Sequence, residues 1–187
     1  MLLLVRHGRT DANAQGLLLG RADPPLSEEG RLQAAALATV IPPGARVITS
    51  PLQRTRETAD AFGLPVEVDE RWIELDYGEL DGMPLRDVPP DLWRTWRADP
   101  TFAPPGGESL AALGVRVREA CAELVDEARD RDVVVVSHVS PIKAGIAWAL
   151  GAGDELSWKL FVAVASIARI GVDRWGLSLR SFNELVG

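Results

Sequence analysis

Cysteine and histidine are scarce in this chain: Cys121 is its only thiol, and His7 and His138 are its only imidazoles. A single cysteine excludes an internal disulfide and fits a reducing compartment. Cys121 falls in the apolar-periodic stretch 117–125, where a packed core thiol is the expected role and a reactive one the alternative. So few histidines and cysteines also leave too little for a transition-metal cluster. Net basic charge is missing as well. The formal balance is −7, which excludes a general affinity for DNA, RNA or anionic membranes, since such binding runs on clustered Lys and Arg. A local basic pocket could still take a small anion. Long apolar runs are absent at the start of the chain. Residues 2–5 are apolar with no basic segment before them, too short for a signal-peptide core or a membrane span. A cytoplasmic enzyme is therefore expected, as a monomer or homodimer.

What is present describes one globular unit. The chain has 187 residues, 47% hydrophobic and 25% charged, enough for one domain with a substantial core and short for two. It contains no internal repeat, linker or low-complexity tract. Residues 2–5, 46–49, 66–68 and 133–136 are short apolar runs of the kind buried in a parallel sheet. Three further stretches, 160–164, 168–172 and 177–179, read as late strands. Ser27 is placed to cap a helix running to about residue 40, and Ser50, with Pro51 at the first helical position, a second one to about 62. Residues 108–129 carry apolar side chains at helical spacing, and a further helix is expected over 141–150. Residues 92–97 form a short Trp-containing helical piece between Pro-Pro breaks. Strands alternating with helices predict a single α/β domain over 1–187: a mostly parallel central sheet flanked by helices on both faces, with residues about 81–107 as a short lid.

Both histidines directly follow predicted strands. In open α/β sheets, ligands bind at the carboxyl ends of the parallel strands, so both fall where a site would be built. Arg6 precedes His7, and Thr10, Asp11 and Asn13 follow it; Arg54 lies one turn into the helix after the second strand. Two arginines and two histidines at one sheet edge would make a cationic pocket, and guanidinium forks match phosphoryl oxygens.

These residues carry a family resemblance. Residues 4–13, LVRHGRTDAN, resemble the signature R-H-G-x-T-x-x-N of the histidine phosphatase superfamily, which includes the cofactor-dependent phosphoglycerate mutases. Residues 21–30 resemble the D-x-P-L-S/T-x-x-G segment that follows, and residues 50–59 the element S-P-L-x-R-x-x-x-T-A. Residues 73–82 are similar to E-x-x-F/Y-G-x-W-E-G, residues 105–109 to the G-G-E-S element, and residues 134–138 to the second histidine motif. The likeness is ordered and covers nearly the whole chain. The run from Ser137 to Lys143, with the short lid, looks most like the small phosphatases related to alpha-ribazole phosphatase. Departures are Leu80 and Asp81 for the usual Trp-Glu, Leu19 where relatives often carry Gln, and Val139-Ser140 for the commoner Gly-Gly.

The resemblance implies a metal-independent phosphomonoesterase that needs no cofactor and acts on a small phosphorylated metabolite. His7 would be the nucleophile, with Arg6, Asn13, Arg54, His138 and the Val139 backbone amide around the phosphoryl group. His138 is expected in its protonated form, as a donor to an equatorial oxygen. Glu74 holds the position of the general acid; Asp76, Glu79 and Asp81 are its competitors, and otherwise exposed loop carboxylates. Trp93, Trp96 and Phe102 would wall the leaving group or simply pack the lid, while Trp148 and Trp158 read as packing residues. Lys143 and Arg21 would meet a second anionic group or lie on the surface. The alternatives are a phosphoglycerate mutase, a catalytically idle phospho-ligand binding module, and a phosphatase of protein phosphohistidine.

Overall fold

The structure is a computed structural model, and it describes residues 1–186. Six strands form one sheet: β1 (Leu2–Arg6), β2 (Arg46–Thr49), β3 (Val66–Val68), β4 (Val133–Ser137), β5 (Ser166–Asp173) and β6 (Gly176–Leu185). Their order is β3-β2-β4-β1-β5-β6. The pairs β3·β2, β2·β4 and β4·β1 are parallel, whereas β1·β5 and β5·β6 are antiparallel. This is the expected α/β domain with a mostly parallel sheet.

The alternation of the strands explains why both faces are covered. Leu2, Leu4, Val133 and Val135 point to one side, where they pack with Val117, Cys121, Ile142 and Ile146 of helices α5 (Leu110–Leu124) and α7 (Val139–Ala149). Leu3, Val5, Val134 and Val136 point to the other, with Leu37 and Ala59 of α2 (Glu28–Ala38) and α3 (Gln53–Asp60). All five residues of β4 are buried. Each such aliphatic side chain contributes about 1.5–3 kcal/mol on leaving water, so a charge at Val135 would be among the most damaging single changes. Cys121 is a core thiol, and burial pushes it up to about 12.

Local chemistry sets the helix starts. Ser27 caps α2 by accepting from Gly30 N, and Glu28 and Glu29 sit favourably at its positive end. Thr10 caps a short helix, α1 (Asp11–Ala14), in a reciprocal box with Asn13.

Several boundaries differ from expectation. Ser50 does not cap α3, because the chain stays extended to Leu52 and the Ser50 hydroxyl is bound to His138 instead. The predicted helix over 108–129 is two helices, α5 and α6 (Glu127–Asp130), divided by a turn at Val125–Asp126. Residues 160–164 are not a strand. Val162 is buried there, but its carbonyl accepts from Arg6, and Ala165 then adopts φ 52° to turn the chain into β5. The last strand runs to Leu185 rather than 179. The segment 81–107 contains α4 (Pro90–Ala98), started by Pro90, and is tied to the body by a bridge between Leu17 and Pro84. Trp96 anchors it, only 1% exposed, stacked on Trp93 and edge-on to Trp158, Tyr77 and Phe102. Among the described residues no helix is long and apolar enough to cross a membrane.

Candidate active site

Strand register brings the two histidines together. β1 and β4 are parallel neighbours with Arg6 opposite Ser137, so the next residue of each chain segment, His7 and His138, leaves the sheet at the same height. Their ring centroids are 5.2 Å apart and the rings are inclined at 61°. His7 is fixed by its own backbone, its N–H donating to Ser137 O at 3.1 Å and its carbonyl accepting from Ala165 N at 3.0 Å. The loop that follows approaches α2 closely at a pair of glycines: a Cβ on Gly8 would lie 2.4 Å from Gly30 O.

The tautomers follow from the partners. His7 Nδ1 lies 2.7 Å from Gly8 O, which can only accept, so the proton is on Nδ1 and Nε2 keeps its lone pair. Burial, then the charges of Arg54 and Arg6, holds this imidazole well below its usual value. His7 is thus a neutral imidazole with a fixed orientation.

His138 differs from expectation. Arg54 Nε–H donates to its Nδ1 at 3.2 Å, so its proton sits on Nε2 and donates to Ser50 Oγ at 2.7 Å. Burial, Arg54 and His7 push its imidazole well below the usual value too. The protonated His138 expected from sequence is therefore not the resting form; a second proton there would face the Arg54 guanidinium.

Arg54 is wholly buried, and its remaining donors reach Ala22 O at 2.7 Å and Gly20 O at 2.9 Å. Arg6 donates from Nη1 to Val162 O at 2.7 Å, while its buried Nε has no partner among the described residues. Burial lowers the Arg6 guanidinium to about 10, which leaves it charged at neutral pH. Arg6, His7, Asn13 and Glu74 line one pocket of about 310 Å³. Asn13 Oδ1 is taken by Thr10 N and Thr10 Oγ1, which leaves its amide NH₂ as the free donor. The Val139 amide is the first N–H of α7, and Val139 lines the same pocket.

Among the four acidic candidates, only Glu74 lines this pocket. It is 4% exposed, and its Oε1 accepts from Leu75 N at 2.8 Å and Ser140 N at 3.1 Å. Asp76 accepts from Gly78 N, and Glu79 is exposed. Asp81 is no solvated loop carboxylate. It accepts the N–H groups of Gly20, Arg21 and Ala22 at 2.8, 2.9 and 2.8 Å, fixing the loop whose carbonyls hold Arg54. Arg21 is paired with Asp76 and Glu108 and does not line the pocket, whereas Lys143 does. The sequence offers no site role for Ser50 or Tyr77 and no sign of the Asp81 tether. Ser50 and Tyr77 stand inside motifs quoted for the family, which was the available signal; Tyr77 lines the pocket, and burial raises its phenol so that it stays neutral.

The profile of the histidine phosphatase superfamily (branch 1) matches residues 2–185. The chain belongs to this superfamily. A bifunctional protein of Mycobacterium tuberculosis is 37% identical over 177 residues, covering 89% of this chain and 49% of that protein, so the chain spans about half the length of the relatives matched there. The glucosyl-3-phosphoglycerate phosphatase of Mycobacterium tuberculosis is 36% identical over 84% of this chain and 82% of its own length. The solved structure of that mycobacterial phosphatase with VO3 superposes with a TM-score of 0.86, 33% identity and 98% of each chain covered. Phosphoserine phosphatase 1 of Hydrogenobacter thermophilus is 35% identical over 92% of this chain and 86% of its own. A candidate alpha-ribazole-5'-P phosphatase from Escherichia coli K-12 has a TM-score of 0.86 at 30% identity, covering 100% of this chain and 97% of that one. Several named relatives of this chain are thus phosphatases, and one, from Yersinia enterocolitica, is a probable phosphoglycerate mutase.

Proposed function

We propose that this chain is a metal-independent phosphomonoesterase that transfers the phosphoryl group of a small phosphorylated metabolite to His7 and then to water. The observation that carries this reading is the state of His7: Nδ1–H is locked on Gly8 O, and Nε2 is unprotonated beside two guanidinium groups. A covalent route divides a very slow hydrolysis into two displacements. In the first, the Nε2 lone pair forms the N–P bond as the ester P–O bond breaks, and a proton from Glu74 goes to the departing oxygen. In the second, water attacks phosphorus, Glu74 takes its proton, and the N–P bond breaks to release phosphate.

Arg6, through its unpartnered Nε, the Asn13 amide and the Val139 N–H would hold the phosphoryl oxygens. Arg54 and His138 stand as a coupled pair behind them: a phosphoryl oxygen arriving between the two would accept from Arg54, and His138 could then turn a donor to it. Oε1 of Glu74 takes two backbone N–H groups at 2.8 and 3.1 Å, while Oε2 has only a long contact of 3.5 Å from Ser140 N and would carry the transferred proton. Residues 81–107 serve as the lid, and the cytoplasmic setting expected from composition belongs to the same reading.

Among the described residues, no three His, Cys, Asp or Glu side chains group as a metal site. Phosphate release from p-nitrophenyl phosphate in EDTA tests the proposal: activity persists in the wild type and is lost in His7→Ala with the fold retained by circular dichroism. Complete loss in EDTA with recovery on Mg²⁺ would overturn the metal-free reading. Conversion of 3-phosphoglycerate to its 2-isomer without phosphate release would make the chain a mutase instead. A screen of phosphorylated metabolites, including alpha-ribazole phosphate, phosphoserine, phosphoglycerates and sugar phosphates, identifies the substrate.

A further inference from the structure

A second cavity of about 150 Å³ opens beside the catalytic pocket. Leu18, Tyr77, Leu85, Val139 and Lys143 line both, so the two spaces meet at a shared neck. Beyond the neck the walls are chiefly aromatic: Trp93, Trp96 and Trp158, with Leu75 and Leu110. An apolar cavity of this volume is about the size that accommodates one benzene ring. Its walls are held in place by the edge-on and stacked contacts among the three tryptophans, with centroids 5.6–6.0 Å apart. Ser140, Ser157 and Lys143 supply the polar part of the lining, Lys143 at the neck.

We infer that this cavity is the leaving-group subsite, and that it selects phosphate esters whose alcohol carries a planar apolar ring. The inference rests on the phosphatase reading for its reaction but not for its geometry. The phosphoryl group occupies the Arg6–His7 pocket, the ester bond passes Lys143 at the neck, and the ring enters between the tryptophans. A charge carried past Lys143 into the aromatic end is disfavoured by desolvation.

Steady-state phosphate release by the wild-type protein is compared for ethyl, phenethyl and pyridylethyl phosphate, whose alcohols differ little in acidity. A kcat/KM at least about tenfold higher for the ring esters than for ethyl phosphate is expected, since even small apolar groups in a fitted pocket discriminate by roughly 10–200-fold. Equal kcat/KM for ethyl and ring esters would overturn the subsite. Binding of phenethylphosphonate against ethylphosphonate, read by tryptophan fluorescence, separates the two readings. Tighter binding of the ring compound without hydrolysis of any ester would sustain the subsite and overturn the phosphatase reading, whereas equal binding would overturn the subsite.

Discussion

Replacing Asp81 by Ala should disable the site from a distance. The carboxylate accepts three backbone N–H groups, from Gly20, Arg21 and Ala22. The carbonyls of Gly20 and Ala22 then hold Arg54, which holds His138. A hydrogen bond to a charged group contributes about 1.5–3 kcal/mol net. Three together would set a ceiling of about 5–9 kcal/mol, but Asp81 is only half-buried and water replaces much of what is lost. A loosening of the loop by about 1.5–3 kcal/mol is the reasonable share. Activity follows the fraction of molecules with the loop ordered. At about 1.4 kcal/mol per tenfold, kcat/KM should fall about 10–100-fold. The assay is p-nitrophenyl phosphate hydrolysis well below the melting temperature, with Asp81→Asn, which retains one carbonyl oxygen, falling between the wild type and Asp81→Ala. A kcat/KM within twofold of wild type for Asp81→Ala would refute the tether.

Glu74→Gln should slow alkyl phosphates much more than p-nitrophenyl phosphate, because the aryl oxide departs without a proton; an equal loss on both substrates would remove Glu74 as the general acid. Stability should fall as the pH drops below about 6.5. Both histidines are held well below that ordinary value in the folded chain, so the unfolded chain binds the more protons from 6.5 downward and the loss continues until the folded values are passed. Urea unfolding midpoints measured from pH 8 to pH 5 check this, and they should be flatter in a His7→Gln, His138→Gln double variant. A wild-type midpoint that does not move across that range would contradict the burial of neutral imidazoles.

The sheet was legible because its central strands are uninterrupted apolar runs, and β4 as four consecutive valines admits few other readings. The juxtaposition of His7 and His138 was legible for the same reason, since both follow such runs. What escaped reading depends on contacts distant in sequence. Ser50-Pro51 looks like a helix start locally, but the hydroxyl is drawn to an imidazole 88 residues away. Residues 160–164 are as apolar as a strand, yet they serve as a cover whose Val162 carbonyl meets Arg6. Asp81 has neither periodicity nor an adjacent partner; the N–H groups that donate to it lie about 60 residues earlier. The resting tautomer of His138 is not legible in the sequence because its donor, Arg54 Nε, is visible only in three dimensions.

Rapid acid-free quenching during turnover, followed by intact-mass and peptide mass spectrometry under alkaline conditions, tests the central claim most directly. The account predicts one phosphoryl group per chain, located on His7, formed within the first turnover and absent in His7→Ala. A phosphoryl group on His138 or any other residue would contradict it. So would turnover with inversion at phosphorus, measured with an isotopically chiral phosphorothioate ester, because two in-line displacements through His7 must give net retention.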